Sequence, residues 1–477
     1  MKKVLILGAH SRHAFKLGML AEIIKTEILK GNEVKYLHCE NTTGGYCALN
    51  KKHGKIYCKK CIIGSLKALE WNNFSKENII TMQKYEPPKF PKFKTLNELK
   101  NFTFEGINFG VAPTSSIMSF SRDYMVDPQK YQKDIEGFLR TEYIVLRNLE
   151  KVYEEFPFDE LHTFNGRFAM PYSAVKFCEK RNIDYYLYEG GGDFQKYCKV
   201  KNCLIHNMSW LRELVKNNWE QANINDRDVI AKKWFEDRFA HIDKVPLRFV
   251  DRQVKNLLPK DFSRNVENIV IFNSSLDEYY AFDEYKNPIA DNENIILKAI
   301  LEKYKDDNSK HIYVRIHPNL AKAYRKKSNQ IMQILEMEKQ YKNNVTFIHA
   351  NSKISTYDLM KKADKVITFI STVGVEAAYS GIPSILAGQA FYDELDCVYQ
   401  AHNFEELFEY INNKNLAPKP KENAYPYGYA QKTFGINYKY YKPIKHNYGE
   451  FEGHNVRILE NPISNLIKQI KYKFLSQ

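Results

Sequence analysis

The sequence predicts an α/β protein with two Rossmann-like, doubly wound lobes around a central cleft. In both halves of the chain, short apolar runs rich in β-branched and aromatic residues alternate with segments of helical length. Gly8 directly follows the first apolar run, as in a first βα turn. The 477 residues, of which 44% are hydrophobic and 14% aromatic, are enough for two sizeable cores.

The first half of the chain supplies one lobe, predicted over residues 1–262. Because strand and helix patterns alternate, its sheet should be parallel. A charged, mostly helical join from about Cys198 to Phe262 closes the lobe, with Trp210, Trp219 and Trp234 as packing anchors. The predicted strands are Lys3 to Gly8, Glu33 to His38, Glu160 to Phe164 and Ile183 to Tyr188, and the predicted helices are Ala14 to Leu29, Tyr131 to Tyr153 and Ala174 to Arg181.

The second half repeats the pattern over residues 263–416. The predicted strands are Asn268 to Phe272, His311 to Ile316, Val345 to His349, Lys365 to Ile370 and Pro383 to Ala387, and the predicted helices are Asn292 to Tyr304 and Ser328 to Gln340. Residues 417–477 lose this rhythm. Ala417 to Tyr448 predicts a wrapping segment, and Pro462 to Leu475 predicts a basic amphipathic helix that either packs on a lobe or contacts a membrane surface.

Charge and hydropathy limit the partners and the compartment. The formal charge of +14 favours anionic partners such as nucleotide diphosphates or lipid headgroups. No zinc finger, RNA-recognition signature or dense arginine stripe is present, so we expect no nucleic-acid partner. The first apolar run is too short for a signal peptide and no segment is long enough to span a bilayer. We therefore expect a cytoplasmic protein, with the tail helix as the candidate for contact with the inner membrane.

Four of the eight cysteines lie close together in the sequence, as C-x7-C-x10-C-x2-C in a segment expected to be loop-like. Four thiolates can close a tetrahedral zinc site, and the C-x2-C half has the usual ligand spacing. The full spacing is not that of a zinc ribbon, so an iron-sulfur cluster, a disulfide and free thiols stay open. Any zinc here would be structural. The four residues are Cys39, Cys47, Cys58 and Cys61.

A histidine-proline pair ends the predicted strand at His311 to Ile316. Pro318 fixes its own φ and biases His317 towards an extended backbone, which holds the imidazole at the strand end. Such a histidine can donate to a phosphate or act as an acid towards a leaving group. Arg315, two residues earlier, could add a cationic contact. The alternative is a histidine in a tight turn without a functional role.

A second strand end, at Ile370, continues into a segment that suits a phosphate. Ser371 and Thr372 can cap a helix that starts near Gly374, whose free N–H groups would then face outward. Glu376 on that helix is expected either to accept hydrogen bonds from ribose hydroxyls or to be an ordinary acidic residue of a first turn.

Strand ends of the first lobe carry the candidates for the acceptor side. Glu189 ends a strand and precedes three glycines, which allow close approach by a substrate, so it is the favoured catalytic base. Its alternative role is to cap the glycine turn. His10, Asn165 and Arg167 follow other strands of this lobe and are candidates for acceptor binding.

These motifs resemble bacterial two-lobed (GT-B) glycosyltransferases that assemble capsule, lipopolysaccharide and related surface glycans, especially users of CMP-sugars that transfer sialic acid or Kdo. Those enzymes carry a His-Pro motif and a later Ser/Thr pair that hold the cytidine monophosphate, matched here by His317-Pro318 and Ser371-Thr372. Their acidic-acidic-Gly motif supplies the base, and the nearest match is Glu189-Gly190, with Tyr188 at the first acidic position.

The resemblance implies transfer of a sugar from a nucleotide-activated donor to a glycan or lipid-linked glycan acceptor, with no metal at the reaction centre. Three other functions remain open. They are a CDP-polyol phosphotransferase similar to teichoic-acid polymerases, a UDP-sugar transferase or UDP-N-acetylglucosamine 2-epimerase-like enzyme, and a non-catalytic scaffold of a glycan-assembly complex.

Overall fold

The structure is a computed structural model that describes residues 1–8, 13–47, 54–242, 249–263, 265–445 and 447–457. The chain divides into two compact units. The first unit contains Met1–Lys89, Arg140–Asn202 and the chain from Ile436 onward, and the second contains Phe90–Leu139 and Cys203–Gly435. No helix of the described residues is both long enough and apolar enough to cross a bilayer.

The elements alternate along the chain much as the sequence predicts. Up to residue 202 they are β1 (Lys3–Leu7), α1 (Ala14–Leu29), β2 (Glu33–His38), α2 (Gly54–Trp71), β3 (Ile79–Thr81), α3 (Leu96–Lys100), β4 (Thr103–Phe104), β5 (Ile107–Asn108), α4 (Val111–Ser121), α5 (Gln132–Glu155), β6 (Glu160–Phe164), α6 (Ala169–Arg181), β7 (Asp184–Gly190) and β8 (Lys196–Lys201).

The remaining elements belong mainly to the second unit. They are α7 (Met208–Glu220), α8 (Arg227–Phe239), β9 (Glu267–Phe272), α9 (Glu293–Tyr304), β10 (Lys310–Arg315), α10 (Ala321–Lys326), α11 (Asn329–Gln340), β11 (Val345–Ile348), α12 (Thr356–Lys362), β12 (Lys365–Thr368), α13 (Val373–Tyr379), β13 (Ser384–Leu386), β14 (Tyr399–Gln400), α14 (Phe404–Asn412), α15 (Tyr425–Thr433), β15 (Ile436–Asn437), β16 (Tyr441–Lys445), β17 (Tyr448–Phe451) and β18 (His454–Arg457).

The sheet of the first unit has the strand order β15-β8-β7-β6-β1-β2-β3. Five neighbouring strands, β7, β6, β1, β2 and β3, pair in parallel, and β8 and β15 add an antiparallel edge. The first strand, β1, lies between β2 and β6, with Leu5 opposite both Lys35 and Leu161. Strand order therefore reverses between β1 and β6, which places a ligand-binding switch point at their carboxyl ends.

The sheet of the second unit is parallel throughout, in the order β11-β10-β9-β12-β13-β14. Its first strand, β9, lies between β10 and β12, so this sheet has its own switch point. Ile269 and Ile271 pack into the core on one face of β9, whereas Val270 and Phe272 pack into the core on the other. A strand covered on both faces explains the continuous apolar run in the sequence.

The predicted fold class, α/β with two Rossmann-like units, is confirmed. The bounds of the units differ from the expected 1–262, 263–416 and 417–477, because residues 90–139 and 203–262 pack into the second unit. Arg122 in the first of these segments, for example, forms an ion pair at 2.8 Å with Asp277. The predicted tail helix over Pro462 to Leu475 lies outside the described residues.

The segment expected to wrap the surface is partly built into the two units. Residues 425–433 form α15, β15 pairs with β8, and β16 to β18 form a small antiparallel sheet. Glu22 of α1, which is only 1% exposed, accepts the backbone N–H groups of Lys439, Tyr440 and Tyr441 at 2.8 to 2.9 Å. A buried carboxylate thus holds the end of the chain against the first unit.

Candidate functional site

The carboxyl end of β9 continues into a polar loop at the switch point of the second sheet. Asn273, Ser274 and Ser275 of this loop are all buried. His317 donates its backbone N–H to Asn273 Oδ1 at 2.6 Å, and the Asn319 side-chain amide donates to Ser275 Oγ at 3.2 Å. These bonds join the ends of β9 and β10, so the histidine predicted from the His-Pro motif lies beside this loop.

The imidazole of His317 is an uncharged donor near neutral pH. Its Nδ1 accepts the backbone N–H of Asn319 at 3.2 Å, with Pro318 at the first position of the turn, so the ring proton lies on Nε2. Burial lowers the pKa of His317 to about 4, and the charge of Arg315 adds to the effect. The geometry therefore favours hydrogen-bond donation to a phosphate over acid catalysis by an imidazolium.

Arg315 is a buried cation that holds the loop after β11. Its guanidinium is 2% exposed and donates to the carbonyls of His349 at 2.6 Å and Ser352 at 3.5 Å. Burial lowers its pKa to about 10. Both of these partners are neutral, so the positive charge of Arg315 contributes to the potential felt at His317 even without contacting a ligand.

An open cleft of about 500 Å³ lies at the carboxyl ends of β9 and β12. The switch point of a Rossmann-like sheet is the place where such folds bind nucleotides. None of the described residues that line the cleft is basic, and three of them are tyrosines. The lining residues are Ser274, Ser275, Leu276, Tyr279, Tyr280, Tyr285, Asn287, Asp291, Asn292, Glu293, Phe369, Ile370 and Gln389.

Ser371 and Thr372 follow the cleft residue Ile370 and lead into α13, which begins one residue earlier than predicted, at Val373. Ser371 Oγ accepts the backbone N–H of Val373 at 3.3 Å. Thr372 stands at the N-cap position, but its hydroxyl donates to Glu376 Oε1 at 3.3 Å and caps no backbone N–H. Both residues are partly exposed, and they directly follow Ile370, which lines the cleft.

Gly374 is required by packing. A Cβ at this position would lie 2.4 Å from the Tyr392 hydroxyl and 2.6 Å from Thr368 Oγ1. Tyr392 is 1% exposed and donates its hydroxyl to the carbonyl of Ser371. Tyr392 therefore belongs to the core, where it fixes the backbone at the candidate phosphate site.

Glu376 is fully buried on α13 and pairs with Arg238 of α8. Its Oε1 accepts from Arg238 Nε at 2.6 Å and from the Thr372 hydroxyl. With the carboxylate 0% exposed, this geometry favours the structural alternative over contact with ribose hydroxyls. The pair links two helices of the second unit.

In the first unit the structure brings Asn165 and Glu189 together at the ends of β6 and β7. Asn165 Nδ2 donates to Glu189 Oε2 at 2.7 Å, and the backbone N–H of Gly190 donates to Oε1 at 3.1 Å. Asn165 itself adopts the left-handed conformation (φ 66°) and is 4% exposed, so it is held rigidly. Glu189 is partly exposed and oriented, as a catalytic base must be.

The other acceptor-side candidates lie near the same sheet edge or outside the described residues. Arg167 follows Asn165 by two residues, and its guanidinium stacks over the Phe168 ring at 4.4 Å. His10 lies outside the described residues. Tyr188, which replaces the first acid of the resembled motif, is 2% exposed, and its hydroxyl lies 2.7 Å from His162 Nδ1.

One group of possible metal ligands among the described residues has its atoms within 4.8 Å of one another: Glu27, Glu160 and His162. Lysines already neutralise it. Lys30 lies 2.7 Å from Glu27, and Lys2 lies 2.8 Å from Glu160. Although burial opposes it, hydrogen bonds from His162 and Lys2 lower the pKa of Glu160 to about 2. The group is therefore a buried ion network of the first unit.

Each of the four clustered cysteines is a thiol and not half of a disulfide, and two of them lie on a helix. Cys58 and Cys61 are one turn apart on α2, which corrects the expectation of a loop. Burial raises the pKa of Cys47, and Cys61, Cys39 and Cys58 add to the rise, so the three neighbours lie close enough to interact with it. A structural zinc held by these four residues stays a prediction.

The loop after β9 and the tyrosines that line the cleft were not predicted from the sequence. The signal for the loop was present, since Asn273-Ser-Ser275 directly follows a predicted strand, as His317 does. The tyrosines carry no such signal. Tyr279, Tyr280 and Tyr285 lie in short turns, where the sequence pattern does not reveal which rings face a cleft.

Comparison with solved structures finds similarity at the level of the fold. A Thermosulfurimonas dismutans KpsC, beta Kdo 2,4 transferase, is 14% identical with a TM-score of 0.38, covering 56% of this chain and 78% of that one. The match to the UDP-GlcNAc 2-epimerase of Neisseria meningitidis (14% identity, TM-score 0.26) covers 91% of this chain and 98% of that one. The glycosyltransferase SsfS6 of Streptomyces sp. SF2575 (9% identity, TM-score 0.26) covers 91% and 97%. Scores this low support no functional argument.

No curated protein matches the chain significantly. A family match, in contrast, falls on the unit that carries the cleft. The family described as Capsule polysaccharide biosynthesis protein matches residues 242–441, which is less than half of the chain but includes β9 to β14. The region that forms the cleft and the His317 site is therefore similar to capsule polysaccharide biosynthesis proteins.

Proposed function

We propose that the protein is a glycosyltransferase of capsule polysaccharide assembly that uses a nucleotide-activated sugar, with a CMP-sugar as the favoured donor. The observation that carries the proposal is the open cleft at the switch point of the second sheet, inside the region that matches the capsule family. His317 and the pair Ser371-Thr372 follow β10 and β12, the two strands on either side of β9.

The lining of the cleft indicates how a donor would be oriented. Among the described residues its lining offers tyrosines and hydroxyls and no basic side chain, which suits an uncharged nucleoside. The phosphate would lie towards His317 Nε2–H and the hydroxyls of Ser371 and Thr372, where Arg315 adds positive potential. These groups would stabilise the phosphate charge as the sugar leaves, and this step needs no metal ion.

The acceptor would be activated from the first unit. Glu189, held by Asn165 and the Gly190 N–H, would take the proton of the acceptor hydroxyl as it attacks the anomeric carbon. Arg167 and His10 remain candidates for acceptor binding. The acceptor would be a glycan or a lipid-linked glycan, and peripheral contact with a membrane would rest on the predicted tail helix.

A thermal-shift screen of the full chain against CMP, CDP, UDP and GDP tests the donor site, because a ligand that binds the folded state raises its melting temperature. We expect CMP to stabilise the wild type and the effect to be lost in His317→Ala. His402→Ala is the matched control, since His402 is an exposed histidine of the same unit.

Each outcome of the screen selects among the open functions. Stabilisation by CDP with CMP inactive would favour the CDP-polyol phosphotransferase. A response to UDP or GDP alone would remove the cytidine assignment and keep a nucleotide-dependent enzyme. No response to any nucleotide would contradict the donor site and favour the scaffold.

A further inference from the structure

Glu293 is a buried carboxylate that the function described above does not use. It opens α9 and lines the cleft, yet its side chain is 2% exposed. Both of its carboxylate oxygens accept the backbone N–H of Ser274, at 3.0 and 3.1 Å. The side-chain amide of Gln330 on α11 donates to Oε1 at 2.9 Å and to the Ser274 carbonyl at 3.0 Å.

This network fixes the loop 273–277 from three sides. Ser274 is held by Glu293 and Gln330. Its neighbours Asn273 and Ser275 are held by His317 and Asn319, respectively. The Ser275 hydroxyl also donates to Asp277 Oδ1 at 2.6 Å. These hydrogen bonds tie the loop to three other segments, although only Leu276 and Asp277, in a short 3₁₀ turn, belong to regular structure. Rigid support of this kind is what a binding loop needs if its groups are to meet a ligand without reordering.

Keeping Glu293 ionised in this buried position lowers the stability of the folded state. The backbone N–H of Ser274 and the neutral side-chain amide of Gln330 donate to Glu293, and Asn273 and Tyr124 beside it are also uncharged. Asp291 lines the same cleft and adds a second acid. Burial raises the pKa of Glu293 to about 7, although the donors oppose the rise. Replacing a carboxylate whose ionisation is this costly by a neutral side chain of the same shape should therefore cost the fold little.

We propose that Glu293 is a positioning residue of the donor site, whose ionised carboxylate holds the loop 273–277 in the conformation that binds the nucleotide. The inference rests on the proposed function. A positioning role and a purely structural role predict different properties for the variant Glu293→Gln. Glu293→Gln removes the cost of a buried charge, which offsets the hydrogen bond it loses, so the folded protein should be no less stable at pH 8 while nucleotide affinity falls.

Calorimetric titration of the full chain with CMP, or with whichever of CDP, UDP and GDP binds instead, tests the inference between pH 6 and pH 8. In the wild type we expect tighter binding as the pH rises through about 7, because ionised Glu293 accepts all its hydrogen bonds. Glu293→Gln should bind about tenfold more weakly at pH 8, as for one lost hydrogen bond to a charged group. The pH dependence of affinity that remains in Glu293→Gln should be only that of the phosphate group of the nucleotide.

The control is Glu336→Gln, an exposed carboxylate on α11, which should match the wild type in affinity and pH profile. Equal affinities and pH profiles for Glu293→Gln and the wild type would overturn the inference and leave the proposed function intact. So would a lower melting temperature of Glu293→Gln at pH 8 that accounts for the loss of affinity. A wild type that binds none of the four nucleotides would overturn both.

Discussion

His317 shows how one backbone contact sets the chemistry of a side chain. The His-Pro pair was identifiable in the sequence because proline restricts the backbone at a strand end. The protonation state was not identifiable, because it depends on the burial of the ring, on the charge of Arg315 and on the Asn319 N–H at Nδ1. Local sequence therefore predicted the position of the imidazole, and tertiary contacts determine what it can donate.

The tautomer and the titration of His317 can be measured by ¹⁵N NMR of the imidazole. We expect a neutral ring protonated at Nε2 from pH 8 down to about pH 5, since the pKa lies at about 4. The folded state binds this proton less readily than the unfolded chain, so His317 should also destabilise the fold as the pH falls from 6.5 towards 4. A midpoint near 6.5, or a proton on Nδ1, would contradict the assigned hydrogen bond.

Among the elements, α1 and the chain after β15 depend on one another through Glu22. The sequence predicted α1 from its apolar periodicity, but Glu22 gave no sign that it would be buried. Its partners are backbone groups more than 400 residues later, at Lys439 to Tyr441. Contacts over such a separation leave no local pattern, which explains why the segment after Ala417 was expected only to wrap the surface.

Glu22→Gln should weaken this attachment. An amide places two donors where the carboxylate accepted three N–H groups, which we expect to cost about 2 kcal/mol in the free energy of unfolding. Urea unfolding measures the cost, and amide hydrogen exchange at Lys439 to Tyr441 should speed up. Glu33→Gln, at an exposed carboxylate of β2, serves as the comparison. If both variants unfold at the same urea concentration, Glu22 does not hold the chain as described.

On the scale of the whole molecule, the sequence predicted two doubly wound units but not their bounds. Alternating strand and helix patterns are local, so both sheets could be recognised. The assignment of residues 90–139 to the second unit depends on contacts such as Arg122 with Asp277 and Tyr124 with Gln333, which join distant parts of the chain. Site residues that directly follow one strand, such as His317, were predicted from the sequence. The lining of the cleft was missed, because several segments combine to form it.

In the proposed function, the second unit holds a sugar nucleotide while Glu189 of the first unit activates the acceptor. The most direct measurement is transfer of a labelled sugar from a panel of nucleotide donors, CMP-sugars first, to a capsule glycan acceptor. Asp193→Asn is the matched control for Glu189→Gln, since Asp193 lies nearby and accepts from the backbone of a turn, at Gln195.

We expect the wild type and the control to transfer sugar. Glu189→Gln should lose at least about a hundredfold in turnover, the usual contribution of a general base, while keeping its nucleotide affinity. His317→Ala should lose nucleotide affinity instead. Transfer that survives in Glu189→Gln, or no transfer and no donor cleavage by the wild type with any nucleotide sugar, would contradict this account.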